Sequence, residues 1–273
     1  MQSLPSQGKT MTHDCDLCAS KERSEIEPGI FVCMGCGFVY VPERRSPQEI
    51  AADWSTVYNG GHYDPDWPGV KARLWYVAEW LDQNISLSGK RVLDIGAGNG
   101  NFLAFVKERG AIPLALEPDE GNSQKIMSRG IQSIHGCVED IEHWPQKHDL
   151  VTILWTLENC GDCLGMLKWA RERLAPGGKV VVATGSRILV PFKKPYGSYF
   201  GKLSPDLHCF RWSWHSLANA FSKAGLTPFQ ANDWMERDEL IMMAEINPDA
   251  MPSGRDSPLE VVDFFREWKR QWP

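Results

Sequence analysis

Residues 90–110 run KRVLDIGAGNGNFLAFVKERG. KRVLDI is an apolar run of buried-strand length, Gly96-Ala97-Gly98-Asn99-Gly100 is a glycine turn, and NFLAFVKERG is helical in pattern. Strand, glycine turn and helix in that order open a parallel α/β unit. Glycines let a ligand approach the backbone closely. The helix start offers unpaired amides beyond the strand's carboxyl end, the edge at which open α/β sheets bind ligands. The next strand, AIPLAL, ends in Glu117, an acidic tip able to accept both ribose hydroxyls of an adenosine. A nicotinamide-binding unit would share these parts, but the spacing is Gly-x-Gly-x-Gly with Asp94 just before it, not Gly-x-Gly-x-x-Gly.

Further along come ALEPD, HGCVEDI, DLVTILWTLEN and LAPGGKVVVA. In this order, from about residue 90 to 246, the motifs resemble the class I S-adenosylmethionine-dependent methyltransferases. The resemblance implies an α/β, doubly wound, seven-stranded Rossmann-like sheet with S-adenosylmethionine as cofactor. It also implies that Asp94, Gly96, Ala97, Gly98 and Gly100 hold the methionine end and that Glu117, followed by Pro118, holds the ribose. Val138 and Glu139 would frame the adenine, with Trp155 beside the methyl donor. Cys137 stands where many relatives carry Asp or Ser.

More narrowly, DLVTILWTLENCGDC resembles bacterial methyltransferases that read WHVLEHLPDP and act on sugars or other small metabolites. Trp155 and Asn159 occupy the two histidine positions of that pattern, and Cys163 replaces its proline. Residues 185–212 are too long and too aromatic for a plain connection and are expected to wall an acceptor pocket. Lys193, Lys194 and Lys202 make that wall locally basic. DLHCFRWSWHSL resembles the family's His-x-x-Phe-Ser pattern before a helix, which puts His208 near the pocket mouth and makes it the candidate general base. Tyr58, Tyr63, Trp155, Asn159 and His208 form the expected substrate pocket.

Upstream, Cys15 and Cys18 form one Cys-x-x-Cys pair and Cys33 and Cys36 another, fourteen residues apart. Four thiolates on two tight knuckles suit a tetrahedral, structural Zn2+. Residues 13–45 therefore read as a zinc ribbon of about three strands. Cys160 and Cys163 make a third pair without a downstream partner pair and read as core or loop cysteines. Residues 46–89 form a polar, Gly/Pro-punctuated linker and a lead-in helix whose face carries Val70, Leu74, Val77 and Leu81. The catalytic domain spans 90–246. Within it Leu164, Leu167 and Leu174 are expected on one face of a helix that stops at the glycines of LAPGG. In the tail, 247–273, Leu259, Val262, Phe265 and Trp268 align on an amphipathic helix that caps the domain or joins a partner subunit, as in a homodimer.

A net charge of −6 disfavours a nucleic-acid partner, which calls for a basic face. No stretch reaches the apolar length of a membrane span, and MQSLPSQGKT lacks a secretory apolar core, so a cytoplasmic, reducing location is expected. The expected function is methyl transfer to a small metabolite or glycan precursor, a sugar or nucleotide sugar. Two alternatives stand beside it: an RNA or protein methyltransferase that recognises its substrate with the ribbon, and a catalytically degenerate S-adenosylmethionine-binding scaffold, suggested by Trp155 and Asn159.

Overall fold

The computed structural model describes residues 12–61, 64–141, 143, 144, 146–192, 194–200, 207–232 and 239–273. The N-terminal module contributes three short strands, β1 (Arg23–Glu27), β2 (Ile30–Cys33) and β3 (Val39–Tyr40). Helix α1 (Pro47–Asn59) follows at once, where the sequence pattern suggested an irregular linker. Its start is chemically specified. The Ser46 side chain accepts the Glu49 amide, Glu49 returns a bond to the Ser46 amide, and Pro47 fills the first turn, where no amide partner is needed. Helix α2 (Pro68–Ile85) buries Val70, Val77, Ala78 and Leu81, with Leu74 partly buried beside them.

Five strands with three intervening α-helices then build the body. In chain order they are β4 (Arg91–Ile95), α3 (Asn101–Glu108), β5 (Ile112–Glu117), α4 (Glu120–Ser128), β6 (Gln132–His135), β7 (His148–Leu154), α5 (Cys163–Glu172) and β8 (Leu174–Thr184). After a short helix α6 (Tyr196–Tyr199) and strand β9 (Phe210–Arg211), α7 (Trp214–Lys223) leads into β10 (Leu226–Ala231) and β11 (Leu240–Ile246), and α8 (Pro258–Gln271) closes the chain.

The main sheet has seven strands in the order β10-β11-β8-β7-β4-β5-β6. Strands β4 to β8 run parallel and β11 is antiparallel to both neighbours. The chain winds outward from β4 through β5 to β6, then returns to β7 on the other side of β4. The crevice beyond the ends of β4 and β7 is therefore the switch point of a doubly wound sheet. One face of the sheet packs on α2 and α3 through Leu81, Phe102, Leu103 and Val106; the other packs on α5 and α7 through Leu167, Ala170, Leu217 and Phe221. Each of the large side chains among these contributes about 1.5–3 kcal/mol by leaving water, so the sheet is anchored from both faces and its strand tips are held in place.

Two further sequence expectations change. Leu174 does not belong to the helix: α5 ends before it, burying Cys163, Met166, Leu167 and Ala170, with Leu164 only partly buried. Leu174 opens β8, and the glycines of LAPGG lie inside that strand, where the pairing with β7 shifts register between His148 and Leu150. In α8 the buried face is Val261, Val262, Phe265 and Trp268, while Leu259 is 66% exposed. Leu259 is in the first turn, on the outward side of that stripe.

The N-terminal module is not a separate bead. Strand β9 from the body pairs with β3, Val39 opposite Arg211 and Tyr40 opposite Phe210, to complete a sheet in the order β1-β2-β3-β9. Helix α8 covers that sheet, packing Val261, Phe265 and Trp268 with Ile30, Val32 and Val39. Among the described residues no helix is long and apolar enough to cross a membrane.

Candidate active site

At the switch point lies a cavity of about 430 Å³. The tips of β4 and β5 build one side. Gly96 and Gly98 hold φ of +71° and +56°, a region glycine enters without steric cost. A Cβ on Gly96 would come 2.5 Å from the Thr156 hydroxyl, so no side chain fits there. The turn made by these glycines carries the Gly98 amide to Glu117, donating to Oε2 at 2.7 Å, while the Asp119 amide donates to Oε1 at 2.9 Å. Burial lifts the Glu117 carboxyl to about 7, against the downward pull of those two amides. Asp94 is buried as well, accepts from the Thr152 hydroxyl at 2.7 Å, and is pushed by burial to about 8.

Asp94, Gly96, Ala97, Gly98, Glu117, Pro118, Val138, Glu139 and Trp155 all line this cavity. Gly100 does not: it caps α3 at φ +79° and packs behind the wall, where a Cβ would meet Ile126 at 2.7 Å. Val138 and Glu139 sit in a single 3-10 turn after β6, and burial raises the Glu139 carboxyl.

The rest of the lining carries aromatic and polar side chains. Tyr58, Asn159 and His208 are among them; Tyr63 lies outside the described residues, as do Lys193 and Lys202, while Lys194 lines the cavity. Trp54 on α1 packs between Tyr58 and His208, with ring centroids 6.3 and 6.5 Å away. Trp155 adopts φ +51° just past β7, a left-handed conformation that a bulky residue keeps only where its surroundings enforce it. Its indole lies against Gly185, and Arg73 sits over the ring at 5.2 Å.

Sequence patterns did not single out Glu158. Its side chain is buried, Oε1 accepts the Gly185 amide at 3.2 Å, and Oε2 has no hydrogen-bond partner among the described residues. Burial raises its carboxyl, and the nearby His208 opposes that only in part. Trp54 Nε1, Trp155 Nε1 and Asn159 Oδ1 are likewise buried and unpartnered among the described residues, and all four side chains belong to the cavity wall. Native proteins seldom leave such groups unpaired unless a ligand or water completes them. The available signal was position: an acidic residue three past Trp155 in a tight turn at a strand's carboxyl end.

The four ribbon cysteines converge, with all ligand atoms within 4.8 Å of one another and Sγ–Sγ distances of 3.6 Å for Cys15 to Cys36 and 3.4 Å for Cys18 to Cys33. Zn–S bonds of about 2.3 Å in a tetrahedron require sulfurs about 3.8 Å apart, so the donor set matches that ion in chemistry and size. The Gly35 amide donates to the Cys33 sulfur at 3.3 Å. This is the only group of metal-ligating side chains found among the described residues; Cys160 and Cys163 are simply buried.

The model of a methyltransferase domain family matches residues 72–231, more than half of the chain, and the chain belongs to that family. Among curated proteins it is similar to the ubiquinone biosynthesis O-methyltransferase of Pseudomonas aeruginosa, 31% identical over 117 residues, covering 40% of this chain and 50% of that protein. The chain thus spans about half the length of the curated relatives it matches. Among solved structures it resembles a Burkholderia thailandensis 1,6-didemethyltoxoflavin-N1-methyltransferase at TM-score 0.57 and 17% identity, over 83% of this chain and 99% of that one. It also resembles the magnesium protoporphyrin IX methyltransferase of Synechocystis PCC 6803, at TM-score 0.55 and 12% identity, over 75% and 99%.

Proposed function

We propose that this chain is an S-adenosylmethionine-dependent methyltransferase whose acceptor is a small polar metabolite or glycan precursor, with a structural Zn2+ on Cys15, Cys18, Cys33 and Cys36. The observation that carries the proposal is the placement of two complementary walls around one cavity at the sheet's switch point. On the donor side, Glu117 keeps lone pairs free on both oxygens after accepting from Gly98 and Asp119, enough for two ribose hydroxyls. Asp94 and the turn from Gly96 to Gly98 serve the methionine end, Pro118 packs at the ribose, Val138 and Glu139 frame the base, and Trp155 stands beside the sulfonium. Gly100 supports the turn from behind.

S-adenosylmethionine supplies an electrophilic methyl group on a sulfonium. The chain's task is to hold an acceptor atom in line with it, exclude water and take the acceptor's proton. On the acceptor wall, Glu158 Oε2 and Asn159 Oδ1 offer acceptors, and the indoles of Trp54 and Trp155 offer donors, that have no partner among the described residues. This mixed array fits a hydroxyl-bearing molecule better than an apolar one, and the aromatic rings of Trp54 and Tyr58 suit sugar faces. The acceptor's proton passes to a base on this wall, for which Glu158 and His208 are the two candidates. Two of the ribbon's cations, Arg44 and Arg45, are spent on Asp16 and Asp53, which leaves little basic surface for a nucleic acid.

Calorimetric titration with S-adenosylmethionine and, separately, with NAD tests the donor side. Saturable binding of the methyl donor alone is expected. Binding of NAD alone would overturn the proposal, and binding of neither would favour the degenerate scaffold.

A further inference from the structure

No residue of 12–45 lines the cavity, whose wall begins at Pro47. The ribbon nonetheless reaches the residues of that wall, most directly through one buried side chain. The Arg44 side chain is 3% exposed and all three of its guanidinium nitrogens donate hydrogen bonds. It forms a forked pair with both Asp16 oxygens, donates from Nη1 to the Gly161 carbonyl at 2.9 Å and from Nε to the Val41 carbonyl at 3.1 Å, and lies 4.6 Å from the Phe210 ring centroid. Asp16 stands between Cys15 and Cys18 in the first knuckle. Gly161 ends the segment 158–161, every residue of which lines the cavity. The Phe210 amide donates to the Glu158 carbonyl at 3.1 Å, and the Val41 amide to the Cys209 carbonyl at 2.9 Å, next to His208. Arg45 repeats the pattern, pairing with Asp53 beside Trp54 on α1 and donating to the Leu207 carbonyl at 3.1 Å.

We infer that Arg44 is a positioning residue that couples the metal-bearing knuckle to the acceptor wall, so that the ribbon's metal state sets the acceptor half of the cavity and leaves the donor half in place. The division into halves rests on the methyl-transfer proposal and the metal dependence on the proposed Zn2+ site; the mechanical link through Arg44 rests on neither. The donor half is fastened by its own bonds, Gly98 to Glu117 and Thr152 to Asp94, and none of them involves the ribbon. Removing one member of a buried ion pair strands the other, so loss of Arg44 displaces Asp16 and releases Gly161 together.

The test is hydrogen exchange read by mass spectrometry on the full chain, with S-adenosylmethionine titrated in parallel. It compares wild type, metal-stripped wild type, Arg44→Met and Arg44→Lys. In Arg44→Met and in metal-stripped protein, amides of Val41, Asn159 and Phe210 should exchange roughly ten-fold faster or more, with those of β4 and β5 unchanged. The donor's Kd should stay within about two-fold of wild type. Arg44→Lys, which keeps the charge and loses the fork, should fall between. Acceleration spread evenly over both halves, or none at 158–161 and 207–210, overturns the inference. If Arg44→Met does not fold, Arg44→Lys read beside metal-stripped wild type supplies the comparison, and a Lys variant identical to wild type at 158–161 and 207–210 overturns the inference. Wild type that shows the local pattern but binds no donor would sink the methyl-transfer proposal and leave the coupling standing.

Discussion

The Gly98 amide and the Glu117 carboxylate are joined at 2.7 Å, so the glycine turn after β4 and the tip of β5 hold one another before any ligand arrives. Because burial lifts Glu117 to about 7, this carboxyl is partly protonated near neutrality, while ribose hydroxyls are best accepted by its ionised form. Donor binding is therefore expected to weaken as pH falls from 7 toward 5.5, by up to roughly ten-fold per unit. Glu117→Gln should flatten that slope, and Glu117→Ala should weaken the donor strongly at every pH. Calorimetry across the window decides the pH dependence, and unchanged donor affinity in Glu117→Ala would refute the ribose assignment.

Glu158 gives a prediction in which activity and stability move in opposite directions. Its carboxyl is raised by burial and its Oε2 is unpaired among the described residues. A carboxyl with a raised folded pKa binds its proton more tightly folded than unfolded, so it lowers stability as pH rises through and above the ordinary carboxylate range. Glu158→Gln can keep the Gly185 bond through its amide oxygen while removing the buried charge. It should unfold at a higher temperature than wild type at pH 7.5, bind S-adenosylmethionine unchanged, and transfer methyl about 10²-fold or more slowly. Full turnover in this variant would remove Glu158 from the proton path.

The parts legible in the sequence are those built from local pattern. The glycine turn after an apolar run located β4, α3 and the donor crevice, because strand, turn and helix are contiguous there. The cysteine spacing located the knuckles for the same reason. The capping box of Ser46 and Glu49 is equally local, but the glycines and prolines that follow it blur the helical period of α1. What the sequence could not display was pairing at long range. Val39 meets Arg211 across 172 positions, and Arg44 meets Gly161 across 117; no local periodicity encodes either contact. Glu158 became visible only once the fold buried it beside Gly185 and His208.

The ribbon makes a separable prediction. Purified protein should carry about one Zn2+ per chain, and Cys33→Ser should lose it, since three sulfurs no longer close the sphere. Because β3 pairs with β9 and α8 covers the same sheet, metal loss should also expose Trp268 and lower the melting temperature. Tryptophan fluorescence during chelation checks this. Metal content unchanged in Cys33→Ser would refute the site.

His148 opposes the carboxylates in its effect on stability. The Trp144 indole donates to its Nε2 at 3.0 Å, which requires that nitrogen to be unprotonated, and burial lowers the imidazole from 6.5 to about 4. Between those values the unfolded chain binds the proton and the folded chain does not. The histidine's contribution is therefore whole above about pH 6.5 and is lost as pH falls to about 4, an upper bound of about 3 kcal/mol at 1.36 kcal/mol per unit. Asp94, Glu117 and Glu158, all raised by burial, act the other way, lowering stability as pH rises. A single unfolding curve sums these trends, so the informative quantity is the difference between wild type and His148→Gln, whose amide oxygen can still accept from Trp144. Urea unfolding at pH 7, 5.5 and 4.5 should show wild type losing stability relative to the variant as pH falls. A constant difference would mean that His148 takes up its proton without unfolding the strand end it occupies.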